Sequence, residues 1–380
     1  MSTIFHYFSS IQFHPLVFFV ATFIGGIATQ ACLTASYVTI FLTYFLCIAF
    51  IVFFKKSTLL RLFLLSGFLL GVVCYKKKLD DYESFCTNFC NKSYDIVAQV
   101  IDKQIKDGFQ QKTSLKLSTQ ELYNRKTEKK YKATISCIAY CADTMNTISI
   151  GDTVKFSNIF MKQSKNYAFS RYLLKEGCYI SFFAKNIPEI LNRPKYSLER
   201  NIFNEKIQML STLKNKMSFQ CYTLFSSLFL GNKTLNKKYL GAIKEQFKYW
   251  GLSHYLARSG LHLMIFLLLF TFLLRLIPFS RSVKTFILTI LCLLYALFSW
   301  SSISFTRALL TYLFYYCYIF FNCQINTLHI LSLITCIILI INPLQLFFLD
   351  FQLSFGLTFA LVLISHAKIK RKKIAQPLPH

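Results

Sequence analysis

Apolar positions form long blocks toward both ends of the chain and alternate with polar ones in the middle. Residues 14–32, 35–54 and 58–75 are near-continuous apolar runs, and 252–277, 285–303, 304–322, 327–342 and 344–366 are five more. A helix needs about 20 apolar residues to cross a bilayer, so the pattern predicts about eight transmembrane helices. The third run is marginal in length and contains Gly67 and Gly71. From "KKKLDDYESF" to about residue 216 the period drops to two: "YDIVAQVI", "YKATISCIAY", "DTVKFSNIF" and "CYISFFAK" alternate with Lys-rich turns. That predicts a small antiparallel β domain, closed as a barrel. "MSFQCYTLFSSLFLGN", residues 217–232, is amphipathic and short for a span. The expected division is therefore 1–76 N-terminal transmembrane helices, 77–200 β domain, 217–366 second transmembrane domain and 367–380 basic tail.

Composition sharpens the class. The 380 residues are 54% hydrophobic with 41 Phe, above the 45–50% or so of soluble domains. The mean hydropathy is +0.44. A polytopic α-helical membrane protein with an inserted β domain follows. No basic residue precedes Lys55, so the charged start of a signal peptide is missing. Lys55/Lys56, the Arg275–Arg281–Lys284 group and the closing "KIKRKK" all fall on one side if both termini are cytoplasmic and the β domain is outside.

Charge bears on partners. The chain holds 43 Lys+Arg against 16 Asp+Glu, a net +27, which favours acidic partners such as nucleic acid or anionic lipid. The segment from Lys92 to Lys216, with 22 Lys+Arg and 11 Asp+Glu, supplies +11 of it. The polar region also holds Cys86/Cys90 and Cys137/Cys141, with Cys178 as a fifth. Four cysteines can make a zinc site or a disulfide, but this is not the usual x2 metal spacing, and an extracytoplasmic setting favours disulfides. There is no Walker A pattern, no internal repeat and no histidine between His14 and His254. The expectation is a protein that is not an enzyme and uses no cofactor or metal.

Polar residues inside the second apolar block stand out. In "GLSHYLARSGLHLMIFLLLF" His254, Arg258 and His262 are spaced i, i+4, i+8 on one helical face, with Ser259 and Gly260 beside them. Leu256, Leu263 and Leu267 cover the opposite face. Such a polar edge suits a cavity or a partner helix. His254 in the first turn equally suits the water interface, whereas His262 lies two turns deeper. "SWSSISFTRALL" offers Ser304 as a helix cap and Arg307 in the first turn, where an interfacial Arg that snorkels to water is the other reading. Asp350, Gln352 and Ser354 sit in "NPLQLFFLDFQLSFGLTFALVLIS". A carboxylate there implies a pore end, a partner such as Arg307, or a re-entrant loop.

These segments resemble the competence domain of the ComEC family, the DNA-uptake channel of transformable bacteria. "GLSHYLARSGLHLMI" is similar to that family's G-x-x-HLLAISGLHV, "SLFLGNKTL" to its A-L-x-L-G-D-R, Arg307-Ala308 to a helix-opening Arg-Ala pair, and "NPLQLFFLDFQLSFGLTFALV" to its P…GFQLSF. "NYAFSRYLLKEGCYIS" is similar to the end of its extracytoplasmic OB-like domain, and the five blocks, in order, cover roughly residues 20–366. Arg258 stands where the family has Ile, and Asp350 where it has Gly. The chain stops soon after "FQLSF", without the further helices and the metallo-β-lactamase-like domain of longer members. The resemblance implies an inner-membrane channel for single-stranded DNA, lined by the polar residues named above. Its outer domain would grip phosphates with Lys and stack bases on aromatics: Lys129, Lys130, Tyr131 and Lys132, or Tyr167, Phe169, Arg171 and Tyr172. For each of these a solvated Lys-rich loop is the plainer alternative. The implied partners are single-stranded DNA, membrane lipid, the DNA-receptor and ATPase proteins of a competence machinery, and further copies of the chain. A small-solute permease and a truncated remnant without transport activity are the other functions compatible with the sequence.

Overall fold

A computed structural model of the chain describes residues 15–33, 58–106, 112–125, 127–141, 148–184, 186–230, 237–251, 260–299, 302–321 and 326–375. Two compact units divide it, one formed by residues 1–83 with 310–380 and the other by 84–309.

The first unit is helical. α1 (Pro15–Leu33) packs against α10 (Thr327–Ile341), and a 3-10 turn, Pro343–Phe347, leads from α10 into α11 (Leu349–Ala375). α1 also meets α2 (Thr58–Phe89) at a crossing with no room for side chains. A Cβ at Gly26 would fall on the Phe68 carbonyl oxygen, and one at Gly71 on that of Phe23. Close approach of two backbones is what small residues permit between membrane helices. The 35–54 run lies outside the described residues. α2 runs on through "KKKLDDYESF", because nothing in that stretch breaks a helix, so the expected boundary at residue 77 is wrong and the sheet begins at Lys92.

The second unit is built on one seven-stranded sheet. β1 (Lys92–Lys106), β2 (Lys112–Asn124), β3 (Lys129–Lys132), β4 (Ser136–Cys141), β5 (Thr153–Met161), β6 (Ile180–Ala184) and β7 (Glu189–Asn192) pair in the order β6-β4-β2-β1-β5-β7, with β3 on β2. α3 (Tyr167–Lys175) lies between β5 and β6. The fully antiparallel expectation is corrected at one place: β4 and β6 run parallel, because α3 carries the chain across to bring β6 in alongside. β5 and β6 also pack side by side, which brings the far strands together around a core of Tyr94, Ile96, Leu115, Leu117, Val154 and Phe156. In β4 the period of two points Cys137, Ala139 and Cys141 inward and leaves Ile138 and Tyr140 half-buried outside.

Cys137 and Cys141 are therefore core thiols four residues apart on a strand, about 13 Å, too far to bridge. Burial pushes the Cys141 thiol up to about 11. Burial and the adjacent Cys86 push Cys90 up to about 12. No described cysteine is in a disulfide, and no group of three or more described His, Cys, Asp or Glu side chains is placed to hold a metal.

Below the sheet, α4 (Leu198–Lys216) is joined to it by a buried ion cluster. Asp152, fully buried, accepts from Arg193 at 2.9 Å and from Arg200 at 2.6 Å, and the Ser149 amide donates to it at 2.9 Å. Arg200 also donates to the Ile150 and Pro194 carbonyls at 3.1 and 3.0 Å. A carboxylate out of water is held only by partners of this kind. α5 (Phe219–Phe225) widens into one π-helical turn, Ser226–Leu230, and α6 (Lys237–Tyr249) follows. The unit closes with α7 (Gly260–Arg275), α8 (Arg281–Phe298) and the first turns of α9 (Ile303–Phe320). Among the described helices, Pro15–Cys32 and Arg281–Phe298 are long and apolar enough to cross a membrane, and Gly260–Arg275, Thr327–Ile341 and Leu349–Ser365 are shorter apolar helices.

Candidate functional site

His254, Arg258 and Ser259 lie outside the described residues. What remains of that motif opens α7, and its first residue is the point of closest packing. A Cβ at Gly260 would sit 2.9 Å from Ala308 Cβ and 3.6 Å from the Ser304 carbonyl oxygen, and 3.9 Å from Arg307 Nη2. Glycine there lets α7 rest on the opening turns of α9, so Gly260 and Arg307, 47 residues apart in sequence, are brought together. The cap of α9 is Ser302, whose Oγ accepts from the Phe305 amide at 3.3 Å. Ser304, the expected cap, already lies within the helix.

His262 points inward, 7% exposed, with its ring edge-on to Phe229 of the π turn at 5.7 Å. That turn is fixed by a residue the sequence did not single out. Tyr295 of α8 donates its hydroxyl to the Phe229 carbonyl at 2.6 Å. Its ring stacks on Phe266 at 4.5 Å and meets Phe305 edge-on at 5.5 Å. A π turn leaves carbonyls outside the regular ladder, and Tyr295 supplies the missing donor. Phe229, which meets His262, is thereby tied through Tyr295 to Phe266 and Phe305 across four helical segments. Of the predicted stripe, His262 is thus buried, with Phe229 against its ring.

Asp350, Gln352 and Ser354 belong to the other unit. Asp350 is exposed in the first turn of α11, where the helix dipole favours a carboxylate. Gln352 folds back to donate to the Leu346 carbonyl at 2.9 Å, tying the 3-10 turn to α11. Asn342 starts that turn, its side-chain oxygen accepting from the Leu344 amide at 3.2 Å. Ser354 is half-buried one turn further on.

On the sheet domain the two groups proposed for DNA contact separate. Tyr131 of β3 turns in toward Phe89 and Tyr94, at 5.6 and 6.5 Å, so it is packed and cannot stack a base. Lys130 pairs with Glu121 at 2.7 Å. The α3 group is open: Tyr167 is 73% exposed with the Arg171 guanidinium 5.4 Å over its ring, and Tyr172 stacks with Phe169 at 6.3 Å. Burial, together with Glu176, Tyr140 and Cys178, raises the Tyr172 hydroxyl above its usual value. β4 and β6 extend this surface with Tyr140 and Phe183, paired in register at 5.3 Å, Phe183 being 74% exposed. Lys116 of β2 donates to the Glu176 carbonyl at 2.7 Å, fastening α3 to the strands. Tyr140 and Phe183 carried a signal in the sequence, since inward Cys137, Ala139, Cys141 and Phe182 put them on the outer face. Together these residues form a basic, aromatic surface suited to a phosphate backbone with unstacked bases.

Residues 228–379 match the family model described as Competence protein, a membrane-associated family with a role in DNA uptake. No curated protein and no solved structure matches the chain.

Proposed function

From its membership, through residues 228–379, of the ComEC-type competence protein family, we propose that this chain is a multi-pass component of the channel that admits single-stranded DNA across the cytoplasmic membrane. The family match over 228–379 is the observation that carries this reading, because it spans His254, Gly260, His262, Arg307 and Asp350 in one segment. About eight spans, with both termini cytoplasmic, accommodate the apolar runs and place the three basic clusters inside. The sheet domain is then extracytoplasmic. Its strand order, the parallel β4–β6 pair and the return of β5 against β1 support an OB-like barrel. The strand meets Tyr167, Arg171, Tyr172, Tyr140 and Phe183 outside, then passes the polar residues of the membrane domain. The chain performs no chemistry on the DNA. Motive force comes from a receptor or an ATPase on another protein.

The test is a titration of the full-length protein in detergent with fluorescent oligonucleotides at two salt concentrations. Expected is binding of single strands of any sequence that weakens steeply with salt, with a slope of about −0.7 per phosphate neutralised. The Tyr140→Ala/Phe183→Ala double variant should lose about 1–3 kcal/mol per stacked base. Absence of binding at low salt removes DNA as the substrate and leaves the permease and remnant readings.

A further inference from the structure

α6 is a helix without an assigned role. Positions Tyr239, Leu240, Ile243, Phe247 and Trp250 share one face at helical spacing, while positions Lys237, Lys238 and Lys248 fall outside it and Lys244 borders it. Four lysines against one glutamate make the segment strongly basic. Among the described elements none packs extensively along it. At its end Tyr249 is 90% and Trp250 74% exposed. The helix stops there because Gly251 turns left-handed, at φ +69°, its amide bonding the Lys248 carbonyl at 3.1 Å. Nine residues later the apolar helix α7 begins.

We propose that α6 lies in the bilayer interface, with Phe247 and Trp250 at the boundary of headgroups and acyl chains and its lysines on the headgroups of acidic phospholipid. A short helix with an apolar stripe, lysines on the rest of its surface and terminal aromatics partitions in this way. Tyr and Trp prefer the headgroup level, where ring and polar tip are both satisfied. Charge complementarity selects acidic over neutral lipid, each surface Lys contributing through the leaflet's negative potential. The helix would then fix the depth at which α7 enters the membrane. This inference rests on the multi-pass reading of the chain.

The chain has two tryptophans, Trp250 and Trp300, so Trp300→Phe isolates the reporter in the full-length protein. The protein is assembled into nanodiscs of neutral phosphatidylcholine, or of its mixture with phosphatidylglycerol, with brominated acyl chains in either case. Expected is strong quenching of Trp250 by the brominated lipid and weak quenching by aqueous acrylamide. Lys244→Glu/Lys248→Glu should reduce the preference for acidic discs by about fivefold per lysine and leave neutral discs unchanged. If Trp300→Phe does not assemble, the difference spectrum between native protein and Trp250→Phe gives the same reading. Trp250 quenched by acrylamide and not by lipid, in well-assembled discs, overturns the proposal. So does protection of Trp250 by an oligonucleotide, which would place α6 on the DNA. Failure of native protein to enter discs at all would instead overturn the multi-pass reading beneath it.

Discussion

Two aspartates hold the sheet domain together, and they do so differently. Asp152 is sealed at the base of the sheet under Arg193 and Arg200 and binds strand to helix. Asp95 stands in β1, 7% exposed, accepting from Arg125 Nε at 2.8 Å and from the Asn158 amide at 2.7 Å. Burial works to raise its pKa, but the Arg125 and Asn158 bonds and the charges of Arg125 and Lys155 outweigh this, and the carboxyl is held below its usual value. The folded group therefore titrates below the unfolded one. Its contribution to stability is complete above the unfolded value of about 4 and is lost as pH falls through the lower folded value. Urea unfolding followed by the sheet signal should show stability falling below about pH 4, and Asp95→Asn should flatten that limb at a cost of about 1–3 kcal/mol at pH 7. An unchanged acid limb in the variant would remove Asp95 from the account.

At the scale of elements, glycine contacts fix which helices meet. Gly26 and Gly71 put the backbones of α1 and α2 in contact, and Gly260 seats α7 on the Ala308 methyl of α9. Gly71→Leu must part the first pair, since its side chain would displace the Phe23 carbonyl. The expected result is lost thermal stability of the detergent-solubilised protein, by several degrees, with the sheet signal at 84–192 retained. Loss of both signals together would mean that the two units do not fold separately. These crossings were only partly legible in the sequence. "SGFLLG" showed small residues at a four-residue spacing, whereas Gly260 reads as an ordinary helix break until Ala308 is seen against it. β2 was missed because its inward Leu115, Leu117 and Leu122 are diluted by Lys, Ser, Thr and Gln, although it is one of the two central strands of the sheet. The parallel β6 was also hidden, since pairing direction depends on where α3 carries the chain. The apolar runs were plain in the sequence, and two of them are helices long and apolar enough to cross a membrane, Pro15–Cys32 and Arg281–Phe298. The aromatic cluster reached from His262 through Phe229 was not plain, because Phe229, Tyr295 and Phe305 look like any other aromatics of an apolar helix.

On the scale of the whole molecule, function follows from two halves of different character. A basic sheet domain carries open aromatics, and an apolar helical domain carries a few fixed polar groups. A permease needs only the second, while a DNA channel uses both. The measurement that separates them is passage across a bilayer. Full-length protein is placed in liposomes that contain a single-strand-binding protein to retain whatever enters. Fluorescent oligonucleotide is added outside, followed by nuclease, and the protected label is counted alongside a small-dye leak. The account predicts protected single-stranded DNA with the native protein, little protection of duplex, and loss of both DNA entry and DNA-dependent dye leak with Gly260→Leu. Dye leak without any protected DNA, unaltered by oligonucleotide, would contradict it.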